Sequence, residues 1–282
     1  MFRSFQIGSL TIHTFGILVG LGFITGISLA ARRAKSAGLN PDRLYELAFP
    51  WILVSGLVGA RMLYVITNWQ REFAHAPWSD AFAIWRGGLV FYGGLGLATV
   101  VTIGRIRWLG LPLWRVTDCL TPGLALGHVF GRLGCLINGC CYGQACTLPW
   151  AISYPHEFTA DHTPIYPLTP VHPTQLYEAG LNLLLAGGLN WFHGRRQFDG
   201  QVSGLYLILY AGIRFFVELF RGDYAYPSHP FAGVFTPGQT ASFVVLGLGL
   251  ALYFYCRQTQ PRVTSSVASG TATGNVSGPV GG

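Results

Sequence analysis

Phe15-Gly16-Ile17-Leu18-Val19-Gly20-Leu21-Gly22-Phe23-Ile24-Thr25-Gly26-Ile27-Ser28-Leu29-Ala30-Ala31 runs without a charge and is followed at once by Arg32, Arg33 and Lys35. An apolar run of this length, ended by a cluster of cations, is the pattern of a helix that crosses a bilayer and is anchored by a basic cytoplasmic flank. It lacks the basic start and small-residue cleavage site of a signal peptide, so it is expected to stay as the first helix.

Working outward, apolar segments recur at residues 44–66, 88–104, 109–130, 176–192, 202–220 and 236–256. Only 10% of the 282 residues are charged and 51% are hydrophobic, with a mean hydropathy of +0.41. A soluble domain carries roughly 25% charged residues, so the surface of this chain is expected to face lipid. The reading is an all-α integral membrane protein of about seven transmembrane helices within residues 1–257. Its fourth segment, interrupted by Arg115, Asp118 and Pro122, is expected to be shorter, with an irregular start. Residues 258–282 are rich in Ser, Thr, Gly and Val, lack periodicity, and are expected to form a disordered tail.

The cations set the orientation. Arg32, Arg33, Lys35 and Arg43 follow the first segment, and Arg105, Arg107 and Arg115 lie between the third and fourth. Arg195 and Arg196 follow the fifth, while Arg257 and Arg262 follow the seventh. In a seven-span chain these groups fall on one side, the cytoplasmic one, which puts the N-terminus outside and the C-terminus inside. The outer loops hold Arg3, Arg71 and Arg86. The net charge of +7 is therefore distributed as topology determinants and not as a basic stripe, which excludes nucleic acid as a partner. Arg61, Arg132, Arg214 and Arg221 stand apart, at or inside the outer ends of apolar segments. An arginine there costs about 2.5–3.5 kcal/mol unless paired or hydrated, and their concentration at one face points to function.

Three motifs gather at that face. The first is Gly127-His128-Val129-Phe130-Gly131-Arg132-Leu133-Gly134-Cys135-Leu136-Ile137-Asn138-Gly139-Cys140-Cys141-Tyr142-Gly143, where five glycines in an apolar background predict backbone turns lining a cavity. There Arg132 would present a guanidinium to a lipid phosphate; snorkelling to the interface is the plainer alternative. The second is His172-Pro173-Thr174-Gln175-Leu176-Tyr177-Glu178, a helix start in which Glu178 suits the N-terminal dipole. A capped helix with an interfacial His172 explains it equally well. The third, Arg214-Phe215-Phe216-Val217-Glu218-Leu219-Phe220-Arg221-Gly222-Asp223, puts Arg214 and Glu218 on one helix face as an ion pair that leaves guanidinium donors for a phosphate.

With Gly87-Gly88-Leu89-Val90-Phe91-Tyr92-Gly93-Gly94 and Gly59-Ala60-Arg61, these blocks resemble the prolipoprotein diacylglyceryl transferase family in order and spacing. The resemblance implies seven helices and an enzyme of the bacterial cytoplasmic (inner) membrane with its site toward the periplasmic or outer face. It implies transfer of the diacylglyceryl group of phosphatidylglycerol to the lipobox cysteine thiol of prolipoproteins, whose signal peptides are the protein partners. The products are a thioether lipid and glycerol 1-phosphate. The bilayer supplies the lipid, and no metal or redox cofactor is implied. Arg132 and Arg214 match the positions expected to hold the phosphate, with Asn138, Gly143, Gln175, Tyr177, Glu218 and Arg61 as further substrate-binding candidates.

The pattern is not complete. Tyr92 stands where many members have His, Cys135 where they have Asn, Cys140 where an acidic residue follows Asn-Gly, and Phe15 where a Tyr is expected. Tyr92 could orient a phosphate oxygen, but a phenol is a poor base, so His128 and His172 are the local candidates for thiol activation. Four cysteines, Cys135, Cys140, Cys141 and Cys146, crowd the same stretch. Their spacing lacks the paired zinc pattern. A loop disulfide, Cys135–Cys140 or Cys140–Cys146, is the expectation on an oxidising face, with free packing thiols as the alternative. A transporter would show internal repeats and midplane charges, which this chain lacks. A non-catalytic lipid-binding relative, or a transferase with another acceptor, is the remaining rival.

Overall fold

The computed structural model describes residues 4–7, 10–74, 77–84, 87–155, 157, 166–222 and 235–263; Arg3, Arg86 and Asp223 lie outside them. A short antiparallel hairpin, β1 (Ser4–Ile7) and β2 (Leu10–His13), leads directly into α1 (Thr14–Ser36). Next come α2 (Pro41–Glu46), a π-helical stretch at Leu47–Leu53 and α3 (Val54–Thr67), which together form one helical rod, Pro41–Thr67. Asn40 caps its start by accepting from the Asp42 N–H, with Pro41 in the first turn. Pro50 has no N–H to give, and the rod widens to the π register around it.

The remaining α-helices among the described residues are α4 (Phe91–Trp108), α5 (Leu113–Asn138), α6 (Thr174–His193), α7 (Gln201–Glu218) and α8 (Pro237–Thr259). Each of the seven apolar segments is thus helical. Four, Thr14–Ser36, Pro41–Thr67, Leu113–Asn138 and Pro237–Thr259, are long and apolar enough to cross a membrane. Mid-helix side chains such as Val19, Ile24, Val54, Val58, Val100, Leu184 and Val244 are exposed. Such a surface would be unfavourable in water and is ordinary against lipid.

Two expectations for α5 are corrected. It is not shortened by Arg115, Asp118 and Pro122, and it does not break at Gly127, Gly131 or Gly134; it is one helix of 26 residues. Its glycines serve a contact. A Cβ on Gly26 would lie 2.6 Å from the Gly123 carbonyl, and one on Gly22 would lie 3.0 Å from the Gly127 carbonyl. Glycines four apart on each helix bring the α1 and α5 backbones together, the small-residue packing typical of helices in lipid, where close approach replaces a hydrophobic driving force. The turn comes only at Gly139, in the left-handed region at φ 73°, which closes the helix.

α5 is the central helix, packed against α1, α6 and α7, while α7 packs on α8 and α3 on α4. At its N-terminal end, Asp118 is fully buried and accepts from the Gly200 N–H (2.8 Å), the Ser203 N–H (2.9 Å) and the Ser203 hydroxyl (2.8 Å). Those backbone donors start α7 and have no partner within the helix, so a residue that appears to interrupt α5 in fact ties α7 to it. Beyond α8, Arg262 bridges Phe198 and the Val263 N–H donates to the Gln197 carbonyl. The described chain continues to Val263, and residues 264–282 lie outside the described set.

Candidate active site

The C-terminal ends of α5 and α7 and the N-terminal ends of α6 and α8 meet around two buried carboxylates. Glu178, in the first turns of α6, has a side chain only 2% exposed. Its Oε1 lies 2.9 Å from Arg132 Nη2 and 3.2 Å from His128 Nε2, both on α5. Its Oε2 lies 3.8 Å from Arg214 Nη1 on α7. Arg214 Nη2 reaches Glu218 Oε2 at 2.8 Å, one turn along α7, and Arg221 Nε approaches the same oxygen at 3.8 Å. The Thr236 hydroxyl donates to Glu218 Oε1 (2.8 Å) while capping α8, where Gln239 completes a capping box.

Three guanidiniums thus face two carboxylates. Buried charge on this scale is tolerated only when paired and hydrogen-bonded, and the surplus is positive. Arg214 Nη1 is buried with no hydrogen-bond partner among the described residues, a donor left for an incoming oxygen. His128 Nε2 also lies 3.2 Å from Arg132 Nε. It serves one neighbour at a time, accepting from Arg132 in one tautomer and donating to Glu178 in the other. The Tyr210 ring, stacked on Tyr206, lies 5.3 Å from His128.

The loop after α5 forms a strap over this cluster. The Gly143 N–H donates to the His172 carbonyl, the Gln144 N–H to the Phe220 carbonyl, and the Gln144 side chain to the Arg221 carbonyl. A Cβ on Gly143 would meet His172 Cβ and the Phe220 carbonyl at 2.6 Å, so only glycine fits between them. On the α6 side, the Thr174 hydroxyl donates to the Cys141 carbonyl (2.7 Å) and the Gln175 amide to the Cys140 carbonyl (2.7 Å) and the Tyr154 hydroxyl (3.0 Å). Burial raises the Tyr154 hydroxyl above its ordinary range, and the Gln175 bond partly offsets this.

Arg132, Arg214, His128 and Glu218 are therefore brought together. His172 and Tyr177 form a neighbouring aromatic group: His172 Nδ1 lies 3.2 Å from the Tyr177 hydroxyl, which accepts from Trp150 Nε1, and both rings pack on Phe220. Asn138 is exposed, with its amide 3.6 Å from Cys140 Sγ. Tyr92, in the first turn of α4, is 70% exposed. Arg61 stands elsewhere: it is buried and donates to the carbonyls of Asp80, Ala81, Gly87 and Gly88, clasping the loop before α4.

The disulfide expectation is corrected, since all six cysteines are free. Cys119 and Cys256 are buried in helices, whereas the sulfurs of Cys135, Cys140 and Cys141 lie within 4.8 Å of one another. Hydrogen bonds from the Cys135 and Cys140 thiols draw the Cys141 thiol below its ordinary range, and Arg221 and Arg132 act in the same direction. The central residue that sequence reasoning did not place in the site is Glu178. The signal was there: Gln175, Glu178 and Asn182 put polar groups along one face of an otherwise apolar helix, and all three are buried.

The model of the prolipoprotein diacylglyceryl transferase family matches residues 3–255 of this sequence. The chain belongs to that family. A Clostridium perfringens protein named phosphatidylglycerol–prolipoprotein diacylglyceryl transferase 2 is 31% identical over 253 residues, covering 88% of this chain and 92% of the relative. Proteins named phosphatidylglycerol–prolipoprotein diacylglyceryl transferase from Synechococcus elongatus and Legionella pneumophila are also similar. They are 32% identical (94% of this chain, 91% of the relative) and 34% identical (89% and 95%).

Proposed function

We propose that this chain transfers the diacylglyceryl group of phosphatidylglycerol to the lipobox cysteine thiol of prolipoproteins, releasing glycerol 1-phosphate. Relatives named for this reaction match nearly end to end. The observation that carries the mechanism is that Arg132 and Arg214, on different helices, flank the two oxygens of one buried carboxylate. Glu178 fixes the spacing of the two guanidiniums before substrate arrives. The lipid phosphate enters between them and takes the free Arg214 donor. As the glyceryl C–O bond breaks, the phosphate gains charge, and preorganised cations in a low-dielectric site stabilise that charge at little reorganisation cost.

Seven spans, an outer N-terminus and a cytoplasmic C-terminus fit the basic residues at one set of helix ends: Arg33 and Lys35 on α1, Arg105 and Arg107 on α4, and Arg257 on α8. The arginine–glutamate cluster occupies the opposite ends, which supports reading it as facing the outer side of the bacterial inner membrane.

The test is complementation of a strain depleted of its own diacylglyceryl transferase, alongside transfer in vitro from labelled phosphatidylglycerol to a lipobox peptide. The unmodified chain is expected to rescue growth and label the peptide. Arg132→Lys and Arg214→Lys, which keep charge but lose the planar fork, are expected to insert normally and label slowly. Membrane-inserted unmodified chain that neither rescues nor labels would sink the reading.

A further inference from the structure

The reaction needs a thiolate, and the clearest unexplained chemistry beside the arginines is the cysteine trio. Resting on the transferase reading above, we propose that Cys135, Cys140 and Cys141 form a three-thiolate site for one zinc ion whose fourth position takes the acceptor cysteine thiol.

Among the described residues, this is the group of three His, Cys, Asp or Glu side chains placed to hold a metal. Zinc binds thiolate sulfur at about 2.3 Å, so tetrahedral ligands sit roughly 3.8 Å apart. Three sulfurs already within 4.8 Å need only a small contraction. The backbone converges on this point. Gly139 reverses the chain at the end of α5, turning Cys140 and Cys141 back toward Cys135 in the last helical turn. Cys141 itself lies in the left-handed region at φ 61°, an uncommon place for any residue but glycine. Thr174 and Gln175 pin the carbonyls of Cys140 and Cys141 to α6. Strained, over-determined backbone that retains a functional side chain is characteristic of a working site. These thiols are also only partly buried, unlike Cys119 and Cys256, which packing alone accounts for.

The ligand count favours an open site. Structural zinc takes four protein ligands, whereas catalytic zinc takes three and leaves a position for substrate. The acceptor brings a soft sulfur of its own. Coordination deprotonates a thiol outright, which supplies a nucleophile without a strong side-chain base. Arg132 and Cys135 share the last turns of α5, and Gly143, two residues past Cys141, bridges Arg221, so the metal-bound sulfur and the arginine-held phosphate would be neighbours. In the step, the acceptor S–H bond breaks on coordination and its proton passes to water. The sulfur then forms the S–C bond to the glyceryl carbon as the C–O bond to phosphate breaks. The leaving oxygen keeps the electron pair as glycerol phosphate. Nothing is oxidised or reduced, and zinc remains divalent throughout.

The experiment uses the full chain, purified in detergent with a non-thiol reductant. Zinc content is measured, zinc is exchanged for cobalt(II), and the thiolate-to-cobalt absorption is followed as lipobox peptide is added. The expected result is one zinc per chain, and a cobalt band that intensifies with the cysteine peptide but not with its serine analogue. Chelation should abolish transfer and zinc should restore it, while Cys140→Ser and Cys141→Ser should lose both metal and turnover. A metal-free chain that still labels the peptide overturns the inference and leaves the transferase reading intact. A cobalt band indifferent to the cysteine peptide overturns it as well. A thiol-responsive cobalt site in a chain that transfers nothing supports the metal site and instead defeats the transferase reading.

Discussion

Arg132 Nη2 lies 2.9 Å from Glu178 Oε1, joining the last turns of α5 to the first turns of α6 through a buried ion pair. The same carboxylate lies 3.2 Å from His128 Nε2 and 3.8 Å from Arg214 Nη1, so one side chain orders three basic groups drawn from two other helices. Removing one partner of such a pair strands the others without a counter-charge, at a cost of about 3–5 kcal/mol. Glu178→Ala is therefore expected to be the most damaging single change in the cluster, lowering both the unfolding midpoint in detergent and the yield of inserted protein. Glu178→Gln keeps the shape and should fold better than Ala, yet transfer slowly, because the arginines lose the charge that spaces them. Equal stability of all three proteins would contradict this role.

Arg61 should behave differently. Its hydrogen bonds go to four backbone carbonyls of the loop before α4, and each hydrogen bond to a charged group contributes about 1.5–3 kcal/mol. Arg61→Lys is expected to loosen that loop, seen as faster proteolysis between residues 77 and 90, while the KM for phosphatidylglycerol per folded molecule stays unchanged. A KM shift without faster cleavage would return Arg61 to the substrate-binding group.

The glycines of the α1–α5 contact can be ranked before measurement. A Cβ on Gly26 would press on the Gly123 carbonyl at 2.6 Å, whereas one on Gly131 would meet nothing within 4 Å. Gly26→Ala should lower the thermal midpoint, since overpacking costs about 1–3 kcal/mol. Gly131→Ala should be neutral or slightly stabilising, because alanine is the better helix former. Equal midpoints would mean the two helices are free to move apart.

Asp118 offers a test of folding separate from chemistry. Asp118→Ala leaves the N–H groups of Gly200 and Ser203 buried without their acceptor, at about 1–3 kcal/mol for each group left unsatisfied. The expected outcome is a lower thermal midpoint and reduced accumulation in the membrane, with the surviving fraction retaining its specific activity. Loss of specific activity at normal stability would give Asp118 a role this geometry does not assign it.

Charge shortage and apolar runs made every long helix legible in the sequence, because transfer into lipid depends on local composition alone. What stayed hidden depends on partners distant in the chain. Gly127, Gly131 and Gly134 suggested turns because the stretch was read by itself; α1 turns two of those breaks into a packing surface, with Gly22 facing Gly127 and the Phe15 ring facing Gly134. Glu178 looked like a dipole-friendly residue at a helix start until Arg132 and Arg214 arrived from elsewhere. Arg61 shared its type and depth with the site arginines, and only its carbonyl partners separate it from them. The cysteines were expected to pair as disulfides because spacing reveals proximity without revealing number, and three sulfurs converge where two were anticipated.

Gly238 gives the site a history. A Cβ at that position would run into the Glu218 carboxyl group, and Thr236 hydrogen-bonds the same carboxyl from the helix cap. The first turn of the last helix is thus the floor on which Glu218, and through it Arg214, comes to rest. Arg132, Arg214, Arg221, Glu178 and Glu218 all precede this floor in the chain. A nascent chain halted before residue 236 would carry every charged member of the site and still hold Glu218 unseated. Seating of Glu218, and through it of Arg214, therefore depends on the last helix being in place, although that helix brings no charge of its own to the cluster.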